Sequence, residues 1–186
     1  EQRFRALKAL YAYQMVHPGK KLNFMGNEFG QFIEWNFAKE LDWLLLDYPA
    51  HKGIQNYVKY LNHIYLENSP LYELDNTYDG FKWIVVDDAI QNVVAFYRIN
   101  RAGEFIVALI SFSDVTRPKY RIGVPKAGEY KIILDSNNKE YDGHCGKKSN
   151  VKTNNTEIHG HPQSIEIDLE GNTALLLKLV KEEKTC

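Results

Sequence analysis

Two hydrophobic patterns divide this chain. Up to about residue 66, apolar positions mostly recur at helical spacing; beyond about residue 80 they come in short runs broken by turn residues. Phe4, Leu7, Leu10, Tyr11 and Met15 make the stripe of an amphipathic helix over residues 2–16, which Pro18-Gly19 ends. Leu22-Asn23-Phe24-Met25 is short, mostly apolar and closed by Gly26, so it reads as a buried strand. A polar and aromatic loop runs from Asn27 to about Tyr48. Pro49 then opens a second helix to about Leu66, with Ile54, Val58, Leu61 and Tyr65 as its stripe, and Ser69-Pro70 breaks it.

The second half predicts seven strands, at 81–86, 93–97, 105–110, 120–124, 130–134, 164–169 and 174–179. Gly, Asn, Asp and Pro separate them, as in Asn100-Arg101-Ala102-Gly103. Tyr120/Ile122/Val124 and Tyr130/Ile132/Leu134 alternate as half-buried strands do. No helix intervenes, which indicates an antiparallel β-sandwich. Residues 136–160 are Gly- and Asn-rich and read as a long surface loop. The expected fold is mainly β: a C-terminal antiparallel β-sandwich preceded by a helix–strand–helix piece of an α/β fold. The boundary falls between residues 69 and 79, dividing the chain into 1–72 and 73–186. One buried strand cannot make a sheet, so the first part lacks its neighbours and is expected to be a piece of something longer.

Composition adds exclusions. The net charge is -1, which gives no basic field for nucleic acid or an anionic membrane. No apolar run approaches the ~18 residues of a membrane span. Cys145 and Cys186 form no disulfide framework or metal spacing, and suit a reducing compartment. His159-Gly160-His161 lacks the further ligands of a metal site, so no metal and no cofactor is expected. Asn154-Asn155-Thr156 matches a glycosylation sequon without any sign of secretion.

Aromatic residues make up 13% of the chain, enough to ask which rings could stack on sugars. The loop Gly26-Asn27-Glu28-Phe29-Gly30-Gln31 places a carboxylate between two glycines, directly after the expected strand. Asn27 and Glu28 either contact a substrate or satisfy turn amides. Glu34-Trp35 and Asp42-Trp43 each set an acid beside a tryptophan: the ring can stack on a sugar, or it can anchor the loop. Trp83, Tyr97 and Tyr120 could be sugar platforms on the sandwich, but a structural role within its core is preferred.

Several of these segments carry a resemblance. His17-Pro18-Gly19-Lys20-Lys21-Leu22, Phe24-Met25-Gly26-Asn27-Glu28-Phe29-Gly30-Gln31, Glu34-Trp35-Asn36 and Leu41-Asp42-Trp43 resemble the last barrel strand and following loop of bacterial-type 1,4-α-glucan (glycogen) branching enzymes, in the α-amylase superfamily. His51-Lys52-Gly53-Ile54-Gln55 resembles the start of that family's last barrel helix, and Gly80-Phe81-Lys82-Trp83-Ile84 the entry to its sandwich. Tyr120-Arg121-Ile122-Gly123-Val124-Pro125 and His161-Pro162-Gln163-Ser164 resemble later sandwich segments, and Phe37-Ala38-Lys39-Glu40 departs from the family's more polar sequence there.

The resemblance implies a (β/α)8 barrel followed by an all-β domain. It implies a cytoplasmic parent that cuts an α-1,4-glucan and forms an α-1,6 branch by a retaining route, with α-glucan (glycogen) as its substrate. The family's three catalytic carboxylates follow earlier barrel strands and match no position here, so the chain alone is expected to be inactive. Asn27, Glu28 and Trp35 are the expected substrate contacts. The exposed barrel surface of the first 70 residues is expected to pack on the sandwich or, by self-association, on another copy of the chain. A related hydrolase or debranching enzyme, or a non-catalytic carbohydrate-binding or stabilising module, are the other readings.

Overall fold

In a computed structural model, which describes residues 1–182, the chain folds as three layers. Helices α1 (Gln2–Val16) and α2 (Pro49–Glu67) form the first. The second is a six-stranded antiparallel sheet of β1 (Phe81–Asp88), β2 (Val93–Ile99), β3 (Phe105–Ser111), β5 (Gly128–Asp135), β6 (Val151–Lys152) and β8 (Thr173–Glu182). Its strand order is β1-β2-β3-β8-β5-β6. The third is a two-stranded sheet of β4 (Arg117–Val124) and β7 (Gln163–Leu169). All seven expected strands form, and β6 is an addition.

The alternation of side chains along the central strands builds two cores. Phe96, Ile106, Ala108, Ile110, Ala174 and Leu176 point to the helices and meet Ala9, Ala12, Val16, Tyr57, Leu61 and Ile64. Ala95, Val107, Leu109, Leu175 and Leu177 point the other way and meet Ile122, Val124, Ile165, Ile167 and Leu169. Covered on both faces, β3 is buried at every position. The alternation expected for β5 breaks at a register shift between Ile132 and Leu134. That bulge turns Leu134 into the helix-side core while Tyr130 and Ile132 stay between the sheets.

Helix α1 corrects the expected stripe. Its buried face is Lys8, Ala9, Ala12 and Val16, and Leu10 is half exposed. Small side chains bring the helix close to the sheet, while Tyr11 and Met15 pack, partly buried, against the same core. The expected strand 22–25 does not form: among the described residues no strand pairs with the segment, and Leu22, Phe24 and Met25 are exposed. A strand exists by hydrogen bonding to a neighbour, and none is present for it.

The stretch 136–160 is also less of a surface loop than expected. Ser136, Asn137 and Tyr141 are buried. The Tyr141 ring packs against Tyr57 and Tyr60, and its carbonyl accepts from the buried Lys8 Nζ at 2.8 Å. Helix α2 passes so close that a Cβ on Gly53 would lie 2.8 Å from Asp142 Cβ. Cys145 donates its thiol hydrogen to Glu170, and burial with that carboxylate pushes the thiol up to about 11. Cys186 lies outside the described residues.

Arg98 of β2 ties the layers together. Its guanidinium is buried and donates to the Val16 carbonyl at the end of α1, to the Gly80 carbonyl before β1, and to Asp75 at 2.5 Å. No helix among the described residues is long and apolar enough to cross a membrane.

Candidate functional site

The loop after residue 25 opens with a 3-10 turn, Asn27–Phe29, between Gly26 (φ 85°) and Gly30 (φ 68°), and closes with a second, Trp43–Asp47. Both glycines adopt the left-handed conformation that side chains disfavour, so the spacing of the two glycines sets the turn. Phe29 is its anchor: the ring is fully buried and lies 5.3 Å from that of Trp43.

The backbone of this turn is held from both helices. Tyr11 of α1 donates its hydroxyl to the Asn27 carbonyl at 2.7 Å, and His51 of α2 bonds the Phe29 carbonyl through Nδ1 at 2.8 Å. Gln31 then fastens the rest of the loop, accepting from the Asp42 amide at 2.9 Å and donating to the Ile33 carbonyl at 3.0 Å. Among the described residues, the Asn27 amide and the Glu28 carboxylate make no side-chain hydrogen bond. A turn with a fixed backbone and free polar side chains is pre-organised for an external partner.

Glu28 lines a cleft of about 440 Å³ between α1, the segment 21–25 and α2, together with Tyr11, Gln14, Lys21, Asn23 and Asn62. Met15, Leu22, Met25, Leu41, Val58 and Leu61 supply its apolar walls. Burial, reinforced by the neighbouring Glu28 charge, pushes the Tyr11 hydroxyl up to about 12, so it remains a donor. Burial pulls Lys21 down to about 8; its ammonium donates to the His17 carbonyl and lies 5.6 Å from the centre of the Tyr65 ring.

The three sequence-derived contacts are therefore only partly gathered. Glu28 enters the cleft, and Asn27 stands exposed beside it on the same turn. Trp35 is outside the cleft lining, with its ring edge-on to Phe24 at 5.5 Å. The two residues that hold the turn were not read as such. Tyr11 sat in an apolar stripe, and the only local sign was the hydroxyl that made it the one polar-tipped member.

A second concavity, of about 740 Å³, opens between the end of α1, residues 75–78 and the start of β1. Trp83 lines it, half exposed and resting edge-on against Phe81 and Phe96, with Asn76, Thr77, Tyr78 and Lys82 around it. Tyr97 and Tyr120 instead pack against the core between the sheets. Tyr120 donates to Asp88 at 2.7 Å, and burial with that bond raises its hydroxyl well above the usual range. His159 Nδ1 accepts from the Gly123 amide at 3.3 Å.

Comparison with known proteins gives two kinds of likeness. The family model described as "Alpha amylase, C-terminal all-beta domain" matches residues 83–180, just over half of the chain. Over 95% of its length the chain is 43% identical to a 1,4-alpha-glucan branching enzyme GlgB of Halothermothrix orenii, covering 28% of that protein. Over 92% it is 46% identical to the protein of the same name from Bordetella pertussis, and over 95% it is 42% identical to that from Pseudomonas fluorescens, covering 24% of each. The chain thus spans about a quarter of the length of these relatives.

Proposed function

We propose a function from one premise: the chain belongs to the alpha amylase C-terminal all-beta domain family. It works as part of a 1,4-alpha-glucan branching enzyme, a retaining glycosyltransferase of glycogen synthesis in the cytoplasm. Residues 1–72 belong to the catalytic barrel, and residues 73–186 form the all-β domain behind it. One observation carries this reading. The likeness to the branching enzymes runs through both regions at 42–46% identity, whereas a free-standing β module would match in the second region alone.

The cleft supports a binding role rather than the bond-breaking one. A retaining glycosidase mechanism requires two carboxyl groups about 5–5.5 Å apart, a nucleophile and an acid/base. Glu28 is the sole carboxylate among the described residues lining the cleft, so the chemistry falls to residues of the longer protein. In that protein Glu28 and Asn27 would accept and donate hydrogen bonds to glucose hydroxyls, and Trp35 would offer a ring to a sugar face. The exposed Leu22, Phe24, Phe37 and Leu44 are covered there by the remainder of the barrel, and in the isolated chain by a second copy.

Calorimetry with maltoheptaose, beside an assay for new α-1,6 linkages, tests this on the 186-residue chain. The expected result is no branching, with any saturable binding lost in Glu28→Gln and Trp35→Ala. New branches would overturn the assignment of the chemistry elsewhere. A second reading, the all-β region as a sugar-binding module, is favoured by the open face of Trp83 on its cleft. It predicts binding that Trp83→Ala abolishes and Glu28→Gln leaves intact.

A further inference from the structure

We propose that His51 is a positioning residue, setting the Asn27–Phe29 turn through its bond to the Phe29 carbonyl. A carbonyl oxygen only accepts, so Nδ1 of His51 must carry the hydrogen. The imidazole cannot swing away. It is buried, and edge-on contacts fix it to Phe4 of α1 at 5.0 Å and to Phe32 at 4.9 Å.

The turn needs such support. A lone 3-10 turn is a weak structure, and this one has an internal bond of 3.3 Å from the Phe29 amide to the Gly26 carbonyl. It is held at one carbonyl by Tyr11 from α1 and at the other by His51 from α2. Two helices thus direct side-chain donors to a three-residue turn whose two polar side chains, Asn27 and Glu28, are left free. A histidine present only to fill space would have no reason to aim Nδ1 at that carbonyl. The clamp stands on geometry alone; its consequence for sugar rests on the reading of Asn27 and Glu28 as glucan contacts.

Amide hydrogen exchange on the 186-residue chain tests it. The amides to follow are Gly30 and Gln31, which bond the Asn27 and Gly26 carbonyls. His51→Phe keeps an aromatic ring against Phe4 and Phe32 but has no donor. His51→Asn gives up the ring and offers an amide donor near the Nδ1 position. The expected result is exchange at Gly30 and Gln31 about fivefold faster or more in His51→Phe, with most protection restored in His51→Asn, while β3 and β8 amides are unchanged. Equal exchange in His51→Phe and the parent chain, or equally fast exchange in both variants, would overturn the clamp.

Should His51→Phe fail to fold, nitrogen chemical shifts of the parent chain decide: an Nδ1–H tautomer supports the clamp and an Nε2–H tautomer refutes it. Maltoheptaose affinity separates the two proposals. A clamp seen by exchange, in a chain that binds no sugar, stands while the glucan role of the turn in the isolated chain falls.

Discussion

The segment 21–48 and the central strand β3 are both rich in apolar residues, yet they meet opposite fates. Every side chain of β3 is buried, because sheet neighbours satisfy its backbone and a layer covers each face. In the segment, Leu22, Phe24, Phe32, Phe37 and Leu44 are exposed, and residues 22–25 have an extended sequence without a partner strand. The difference lies in company rather than composition. An apolar run becomes a strand only where something pairs with it, and without a partner its side chains stay open to solvent. The helices stand between these extremes, with one face bound to the sheet and the other turned toward the cleft.

The strongest way to break the comparison is to cut the link between the layers. Arg98→Ala removes a buried guanidinium that bonds the end of α1, the Gly80 carbonyl and Asp75. The Asp75 side chain would then be a buried carboxylate without its partner. The expected loss is about 3–5 kcal/mol in urea unfolding, because breaking a buried pair leaves an uncompensated charge. If the β region is the self-sufficient one, helical signal should disappear first while β signal persists. A loss below ~1 kcal/mol would mean that the two regions do not depend on this contact.

A smaller effect comes from pH. Burial pulls the Lys8 ammonium down to about 8, against opposing attraction from Asp142 and Asp135, with Arg5 adding to the depression. Its folded pKa lies below its unfolded value, so between pH 8 and about 10.5 the unfolded chain binds more protons. Stability therefore rises with pH across that window, and the contribution is lost as pH falls through 8. Lys8→Met should erase this slope, worth on the order of 3 kcal/mol at most. Lys21 titrates in the same range and is present in both proteins, so the difference between their denaturation curves isolates Lys8.

How much of this was legible follows the same division. The β strands could be read because punctuated β-branched and aromatic runs are local signals, and their partners lie within the chain. The two helices and the Gly26–Gly30 turn were equally local. The bulge at Ile132–Leu134 was not, since alternation alone says nothing about register with β8. The strand at 22–25 was misread for a physical reason: its pattern describes what it would do beside neighbours that are not present. Of the candidate site, Glu28 was visible through its flanking glycines. Tyr11 and His51 were hidden, because a hydrogen bond from one helix to another loop leaves no periodic trace.

The smallest expected effect sharpens the contrast most. Phe37 is 87% exposed in the first region and Ile90 is 98% exposed in the second. Neither loses packing when changed to serine, so Phe37→Ser and Ile90→Ser should each shift stability by no more than about 0.5 kcal/mol. Association should distinguish them. Phe37 belongs to a segment that also exposes Phe32, Ile33, Trp35 and Leu44, whereas Ile90 lies in the short β1–β2 turn. A contiguous apolar patch binds another surface and a solitary side chain does not. Sedimentation velocity over a wide concentration range should show the parent chain and Ile90→Ser self-associating alike, and Phe37→Ser shifted toward monomer. Identical behaviour of all three proteins would mean that exposure in the first region is not an open interface, and the contrast with β3 would then be one of packing alone.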